Sequence, residues 1–411
     1  MIKNDSYFKD TSLQRNSIMV KIAILSVALV TMIEAGVSPA LPGIAKAFPK
    51  VDISVIQLVV NMPGLLVIPA SLLCGIIAKF ISKRTLTIVA LLLFLITSCF
   101  PALVNNFIFL LIMRALSGAS CGLLLTLSAA LIPDFYQGKD QKSMQGYKNA
   151  VANLGGIITS LLGGILATIS WQATFWVFLI AIIPIILTIF FLPGTKKDES
   201  KKDYSNRENV VNIGKGSYIR YMIILCIGFF IYMVFYFGFY TNASFVIVQE
   251  HMGNSVNAGF VFTIATIGGV VSGIVFGKVS DIFKKFTGAL GVGFMAICFV
   301  IFGFTKSIVL YYITSFFFGI SFAMILSFVF VVTANKVSKT STTMWFSILS
   351  CIQGLGGFCS SFILVPISRA IGGVSLYRTT FIFSAVSLII GFIFIFIYTL
   401  KNRKTTDKVS I

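Results

Sequence analysis

Residues 30–42 read VTMIEAGVSPALP, and this stretch places one carboxylate, Glu34, inside an apolar run of membrane-spanning length. An ionisable side chain at such a depth is costly, so it marks a functional site and needs a partner. The run begins near residue 18 and is not followed by a small-residue cleavage pattern, which favours an uncleaved first span over a secretory signal. The stretch therefore predicts a membrane protein whose other spans supply the partner of Glu34.

The composition of the whole chain favours the same interpretation. Of its 411 residues, 57% are hydrophobic and only 11% are charged, whereas about 25% are charged in an ordinary soluble domain. Apolar runs of about 20 residues recur without the alternation of a β-barrel, which predicts an all-α integral membrane protein. The net charge of +19 comes from basic residues in the gaps between these runs, so it does not indicate nucleic-acid binding.

Twelve transmembrane helices can be placed on the apolar runs. Their predicted bounds are about 18–40, 54–78, 85–104, 107–132, 145–169, 173–193, 218–242, 256–277, 288–305, 307–333, 344–367 and 379–400. The one long polar stretch lies between the sixth and seventh spans. It divides the chain into an N-terminal six-helix bundle (1–193), a cytoplasmic linker (194–217) and a C-terminal six-helix bundle with a short cytoplasmic tail (218–411).

The positions of Lys and Arg predict how the chain is oriented. With the N-terminus inside, 25 of the 32 basic residues lie on the cytoplasmic side and five lie outside, while Arg114 and Lys148 lie in or beside spans. Basic residues accumulate in cytoplasmic loops. The sequence therefore predicts a multi-pass plasma-membrane protein with both termini in the cytoplasm.

The two halves of the chain contain related motifs. The loop after span two carries Gly75, Lys79 and Lys83 at four-residue spacing, and the loop after span eight carries Gly277, Asp281 and Lys285, 202 residues later. A similar offset relates the pair Gly155–Gly156 in span five to the pair Gly356–Gly357 in span eleven. Two pseudo-symmetric bundles of this kind are typical of secondary transporters.

These residues resemble the major facilitator superfamily, and within it the twelve-span drug:proton antiporter branch. The loop from Gly75 to Arg84 is similar to the family's G-x-L-A-D-R-x-G-R-K gating loop, with Lys83 and Arg84 as its basic end. Lys79 stands where the family has an acid that faces the start of span eleven, so this contact is expected to be weaker here. An alternative is that Lys83 and Arg84 only anchor the loop on the cytoplasmic side.

Two further motifs carry the resemblance. In span four, Arg114 precedes a small-x3-small pair, Gly118 and Gly122, as in the family. In span five, Gly155, Gly163 and Gly164 match the antiporter pattern G-x3-G-P-x2-G-G, but Thr159 and Ser160 replace its Gly-Pro. Helix packing alone would also explain these glycines.

The depths of the two embedded charges suggest that they form a pair. Glu34 lies roughly 9 Å below the predicted outer end of span one, and Arg114 roughly 10 Å below that of span four, at 1.5 Å per residue. The resemblance implies that both spans line a central cavity. A Glu34–Arg114 pair is therefore expected to couple protons to solute, the alternative being a static pair that fixes helix packing.

Other polar and aromatic residues within spans are predicted to line the substrate cavity. Tyr232, Tyr236 and Tyr240 share one face of span seven at four-residue spacing, and aromatic rings bind apolar or cationic ligands. Amide side chains are costly against lipid, so five of them are also assigned to the cavity. These amides are Gln57, Asn61, Asn149, Asn153 and Gln353.

The resemblance implies a proton-coupled secondary transporter that exports hydrophobic or cationic small molecules by alternating access. No nucleotide-binding motif, catalytic cluster or metal-ligand spacing is present, so neither an enzyme, a cofactor nor a bound metal is predicted. The expected partners are a small-molecule substrate, protons and the lipid bilayer, and a monomer is expected. The alternatives are a carrier of an anionic metabolite that uses Arg114 as counter-charge, and a membrane receptor that does not transport.

Overall fold

The structure is a computed structural model, and it describes residues 18–78, 80–194, 215–283, 286–336, 339–372 and 375–406. Within these ranges the chain is almost entirely helical. Eleven helices are long and apolar enough to cross a membrane, and a shorter apolar helix precedes them at Ile18–Leu29. This agrees with the predicted all-α membrane fold.

The spans keep the predicted order. Spans two to six comprise Ile53–Ile77, Lys83–Cys99, Phe107–Ala130, Gly138–Ile169, and a 3₁₀ segment Ala173–Ala181 that continues into the α-helix Ile182–Phe191. Spans seven to twelve comprise Lys215–Gln249, Ser255–Phe283, Thr287–Phe304, Ile308–Lys336, Lys339–Ile371 and Leu376–Thr406. Several helices extend beyond the predicted bounds because their polar ends carry no hydropathy signal.

Span one differs from the prediction of a continuous helix over residues 18–40. The α-helix Ile18–Leu29 ends at a bend, a 3₁₀ helix follows over Ile33–Ala40, and a short α-helix completes the segment at Leu41–Ala47. The break therefore falls on the stretch that carries Glu34.

Local chemistry explains the break in span one. The backbone N–H and the hydroxyl of Thr31 both donate to the carbonyl of Ala28, at 3.1 and 2.8 Å, which replaces the α-helical bond by a tighter one. Further along, Pro39 has no N–H to donate to the preceding turn. A 3₁₀ conformation satisfies the backbone between these two residues.

Contacts divide the chain into two compact units. The first unit comprises Met1–Val37 and Met62–Lys202, and the second comprises Ser38–Asn61 and Asp203–Ile411. The division crosses spans one and two within the helical segments themselves. The partition into six-span bundles at residues 194–217 remains a prediction, and most of this predicted linker lies outside the described residues.

Close helix approach at glycines organises the first unit. A Cβ built on Gly118 would clash with the backbone of Pro63, and one built on Gly122 would clash with the backbone of Val67, so span four lies directly against span two. On span five, Gly155 meets the carbonyl of Leu29 in the same way. The bilayer provides no hydrophobic driving force between helices, so such backbone contact is what holds them together.

The second unit combines two such contacts, both between spans eight and ten, with an aromatic interior. Gly319 of span ten lies against the backbone of Ala265 in span eight, and Gly268 of span eight lies against Phe316. Around this contact, Phe239 packs on Phe318 with ring centroids 4.2 Å apart. Ring packing therefore fills much of the space between the helices of this unit.

The contact of Gly163 with span one yields a stability prediction. Gly163 lies against the carbonyl of Gly36, so Gly163→Ala would force spans five and one apart. Overpacking of this kind costs about 1–3 kcal/mol. We expect a lower melting temperature of the purified protein in detergent.

The matched control is Gly146→Ala in the same helix, because no atom lies within 4 Å of a Cβ built there. We expect this variant to be as stable as the parent or slightly more stable, since alanine is the better helix former. Equal melting temperatures for the two variants would contradict the assigned contact.

Candidate functional site

The candidate site of the first unit is built on the break in span one. Glu34 is the second residue of the 3₁₀ helix Ile33–Ala40. Its backbone position is described, but its side chain lies outside the described part of the structure. Interrupted helices within membranes occur where the protein itself encloses the freed backbone groups.

Span five encloses the break from one side. A Cβ on Gly36 would meet the backbone carbonyl of Thr159 at 2.8 Å, and Gly163 lies against the carbonyl of Gly36. The hydroxyl of Thr159 donates to its own helix at the carbonyl of Gly155, 2.8 Å away, so a polar residue fits here without an orphaned group. The stripe Gly155–Thr159–Gly163, at four-residue spacing, is thus the face of span five that touches span one. Gly164 is buried beside it.

Span four encloses the break from another side. The thiol of Cys121 donates to the carbonyl of Thr31 at 3.6 Å. Arg114 lies two helical turns before Cys121 and therefore on the same face of span four. Its side chain is completely buried, and its guanidinium carbon lies 5.9 Å from the ring centroid of Phe178 in span six.

The Thr31–Cys121 contact sets the relative level of the two charged residues. Spans one and four run in opposite directions, so moving from Thr31 to Glu34 and from Cys121 to Arg114 leads the same way along the membrane normal. The two steps are about 5 and 10 Å long. The remaining offset of about 5 Å is within reach of an arginine side chain, and the pairing of Glu34 with Arg114 remains a prediction.

The basic residues after span two bind within the first unit. Lys83 is ion-paired with Asp134 at 2.9 Å, and its side chain is only 9% exposed. Arg84 donates to the carbonyl of Ile189 at 2.7 Å, near the end of the span-six helix. These contacts join the ends of spans three, four and six. Lys83 and Arg84 thus bind defined partners, which anchoring of the loop on the cytoplasmic side would not require.

The other gating-motif residues that the structure describes, Gly75, Gly277 and Asp281, show no comparable contact. No atom lies within 4 Å of a Cβ built on Gly75 or Gly277, so no neighbouring helix packs closely on either glycine. Asp281 is exposed. Lys79 and Lys285 lie outside the described residues, so the effect of the missing acid remains a prediction.

The tyrosine stripe of span seven packs against span ten of its own unit. The hydroxyl of Tyr232 lies 3.2 Å from that of Ser321, and Tyr236 stacks on Phe322 with centroids 3.8 Å apart. The hydroxyl of Tyr236 donates to that of Tyr240 at 3.3 Å. The stripe thus joins the aromatic interior of the second unit, and exposure to a substrate cavity remains a prediction.

The predicted cavity amides fall into two groups. Gln57 and Asn61 are buried and hydrogen-bonded, Gln57 to Asn242 at 3.1 Å and Asn61 to Ser361 at 3.1 Å. A separate group follows the helix surface, where Asn149 is exposed, Asn153 donates to the carbonyl of residue 149, and Gln353 is half-buried. Only the first group forms a buried polar layer.

Sequence reasoning missed the partners of that layer. Asn242 and Ser361 are buried, but both lie in runs where small polar residues are common, so the sequence alone gave no reason to select them. The four-residue spacing of Gln57 and Asn61, which places both amides on one face of span two, was the available signal.

The Lys83–Asp134 pair can be tested by a neutral substitution. Asp134→Asn leaves the nearly buried ammonium of Lys83 without its anion, and hydrogen bonds to charged groups contribute about 1.5–3 kcal/mol. We expect a clear loss of thermal stability in detergent. Asp140→Asn makes the same charge change at an exposed position nearby and should lower the thermal stability much less. Similar losses of thermal stability in both variants would argue against the pair.

The chain is similar to known proteins both in sequence and in fold. The model of the family described as Major Facilitator Superfamily matches residues 23–361. The MFS-type transporter YwfA of Bacillus subtilis is 32% identical over 150 residues, which cover 35% of this chain and 35% of YwfA. The multidrug resistance protein MdtL of Escherichia coli O157:H7 is 24% identical over 239 residues, covering 57% of this chain and 60% of MdtL. The match thus spans less than two thirds of each relative.

Among solved structures, the nucleoside transporter NupG superposes with a TM-score of 0.71 at 14% sequence identity. The superposition covers 92% of this chain and 99% of NupG. At this identity the likeness concerns the fold alone.

Proposed function

This chain belongs to the major facilitator superfamily of transporters, and from that premise we propose that it exports hydrophobic or cationic small molecules in exchange for protons. The family is one of transporters and YwfA is named a transporter, so the chain is a membrane transporter and not an enzyme. The proposal extends to a monomer in the plasma membrane with both termini in the cytoplasm. The excess of basic residues on that side supports this orientation.

The substrate class is supported by one relative and by the chemistry of the second unit. MdtL is named a multidrug resistance protein. In this chain, Tyr236 and Tyr240 belong to a set of stacked rings that includes Phe262, 5.1 Å from Tyr240. Aromatic faces attract cations and pack against flat apolar molecules without demanding one exact shape.

Proton coupling is supported by the position of Glu34 at the break in span one. Glu34 is the single acidic residue that the sequence places in the middle of an apolar span. The break is enclosed by the glycine stripe of span five and by the face of span four that carries Arg114. A carboxylate in such surroundings can exchange a proton, because burial favours its neutral form and a nearby guanidinium favours its charged form.

The proposed cycle couples these two states to the solute. When Glu34 is ionised, it binds Arg114 and the site favours a cation or a neutral solute. When a proton neutralises Glu34, the attraction between Glu34 and Arg114 is lost and the site becomes more positive. A cationic solute is then released. Proton and solute therefore compete, and their coupling is reciprocal in free energy.

Replacement of Glu34 by glutamine tests this cycle. Glu34→Gln keeps the shape of the side chain but cannot ionise, so export driven by an imposed pH gradient should fall by about tenfold or more, within the usual range of coupling free energies. Exchange of labelled for unlabelled substrate, without a gradient, should continue. Both rates are measured in proteoliposomes.

Asp140→Asn is the control for loss of an acid elsewhere, since Asp140 is exposed and outside the site. It should transport like the parent protein. If Glu34→Gln shows unchanged, gradient-driven export, Glu34 is not the coupling residue.

A second candidate is transport of an anionic metabolite, which the fully buried guanidinium of Arg114 favours. In that case organic acids, rather than dyes or cationic drugs, would be transported, and Arg114→Gln would weaken substrate binding without altering the pH dependence. A flux panel of dyes, antibiotics and organic acids, with and without a pH gradient, separates the two candidates.

A further inference from the structure

A crevice of about 490 Å³ lies beside span twelve in the second unit. Gly303 of span nine and Ile371, the last residue of the span-eleven helix, stand on one side of it, and the first three turns of span twelve form the other side. This volume is within the range of pockets that hold small molecules. The predicted orientation of the chain places the crevice in the outer half of the membrane.

Two glycines leave the space of the crevice open. Gly372 follows the span-eleven helix with a left-handed backbone, φ +71°, and no atom lies within 4 Å of a Cβ built there. Glycine adopts such a conformation without the steric cost that a Cβ brings. At Gly303, a built Cβ would lie only 2.8 Å from Cγ1 of Ile382 in span twelve. A side chain at either glycine would therefore reduce the opening or push span twelve away.

The deeper part of the crevice is apolar and opens toward lipid. Ile382, Phe383 and Val386 of span twelve line it, and Val386 is exposed at its rim. From Arg378 to Val386 the helix rises about 12 Å, whereas one leaflet of a bilayer has a hydrocarbon layer of about 15 Å. An acyl chain that enters from the side would thus lie along the crevice over most of its leaflet.

The outer end of the crevice is polar, and Arg378 is its main residue. The Nε of Arg378 donates to both carboxylate oxygens of Glu250, at 2.7 and 2.6 Å. Nη2 donates to the carbonyl of Thr305 at 2.8 Å, and Nη1 donates to the carbonyl of Gly303 at 3.0 Å. Nη1 carries two hydrogens, and within the described ranges only one of them has an acceptor.

Ser375 supplies a second unused donor at the same end. Its backbone carbonyl accepts from the hydroxyl of Thr379 at 2.9 Å, but its own hydroxyl makes no hydrogen bond to any described residue. Ser375 and Arg378 both line the crevice. The outer end therefore offers two donors to a ligand that carries acceptor oxygens.

The charges around this end favour an anionic ligand. Glu250 balances Arg378, and Asp52, 2.8 Å from Arg369, balances that residue. Lys306, just beyond the span-nine helix, is exposed and has no acidic partner in the described part of the chain. The balance is positive, and basic pockets between membrane-spanning helices attract anionic lipid headgroups.

We propose that the crevice binds one anionic phospholipid of the outer leaflet. One acyl chain lies along Ile382, Phe383 and Val386, and the phosphate accepts hydrogen bonds from Nη1 of Arg378 and from the hydroxyl of Ser375. Charge-assisted bonds from arginine to phosphate are among the stronger hydrogen bonds in proteins. The bound lipid joins the ends of spans nine, eleven and twelve, and its binding does not depend on which solute is transported.

Native mass spectrometry of the purified full chain tests this site. The protein is titrated with phosphatidylglycerol and with phosphatidylcholine that carries the same acyl chains. We expect one phosphatidylglycerol to bind about two- to fivefold more tightly than phosphatidylcholine, the effect of one exposed charge. Lys306→Gln should remove this preference. Ser375→Ala should weaken both lipids alike, by roughly two- to tenfold, because both carry the phosphate.

Filling the crevice tests the place of the acyl chain. Val386→Trp puts a large ring at the rim, where Val386 is 51% exposed, so the fold can accept it without overpacking. We expect the affinity for phosphatidylglycerol to fall roughly tenfold or more, since about two methylene groups or more lose their contact. Ile397→Trp is the matched control, because Ile397 is 57% exposed on the same helix and lies outside the crevice. It should bind lipid like the parent protein, and both variants should keep the parent's melting temperature.

Four results would overturn the proposal. They are equal affinity of the parent protein for the two lipids, equal affinity of Val386→Trp and Ile397→Trp for phosphatidylglycerol, and displacement of the lipid by glycerol phosphate or by a transported dye at the same concentration. Displacement by glycerol phosphate would assign the site to a free phosphate. Displacement by the dye would assign the crevice to the transported solute.

Discussion

Backbone contact between spans five and one is the constraint on which the first unit depends. Gly155 and Gly163 place span five against the main chain of span one on either side of its break. Such contact leaves no room for lipid or solvent at exposed carbonyls, and it allows span one to give up α-helical bonds inside a membrane. The backbone around Glu34 can therefore leave the α-helical conformation because glycines allow the neighbouring helix to cover it closely.

The second unit solves the equivalent packing problem differently. Gly356 and Gly357 of span eleven are the pair that the repeat relates to Gly155 and Gly156 of span five. A Cβ on Gly356 would lie 2.6 Å from the Cβ of Met233 and 3.3 Å from the backbone carbonyl of Phe230, and one on Gly357 would lie 3.1 Å from the ring of Phe237. The nearest atoms at this pair thus belong to side chains, whereas the nearest atom at Gly155 is the backbone carbonyl of Leu29. The sequence repeat is retained while its physical use has changed.

The sequence predicted the helical membrane fold and most span positions, because apolar runs of membrane length are a strong signal. It did not predict the break in span one, since Thr31 and Pro39 act through local hydrogen bonding that hydropathy does not record. It selected Gln57 and Asn61 from their amides but could not name Asn242 or Ser361, which depend on contacts between residues 185 and 300 positions apart. The sequence predicted Glu34 and Arg114 as a pair. The structure shows that their two spans meet nearby, where the thiol of Cys121 donates to the carbonyl of Thr31.

The two kinds of interior differ in how readily they can change over evolutionary time. A glycine that faces a backbone carbonyl tolerates no side chain, so the surroundings of Glu34 admit few substitutions without loss of the fold. Rings that face other rings, such as Tyr236 on Phe322, can be exchanged for residues of similar volume at modest cost. Substitutions should therefore be tolerated more readily among the stacked rings of the second unit than at glycines that face a backbone, such as Gly155 and Gly163 of the first unit.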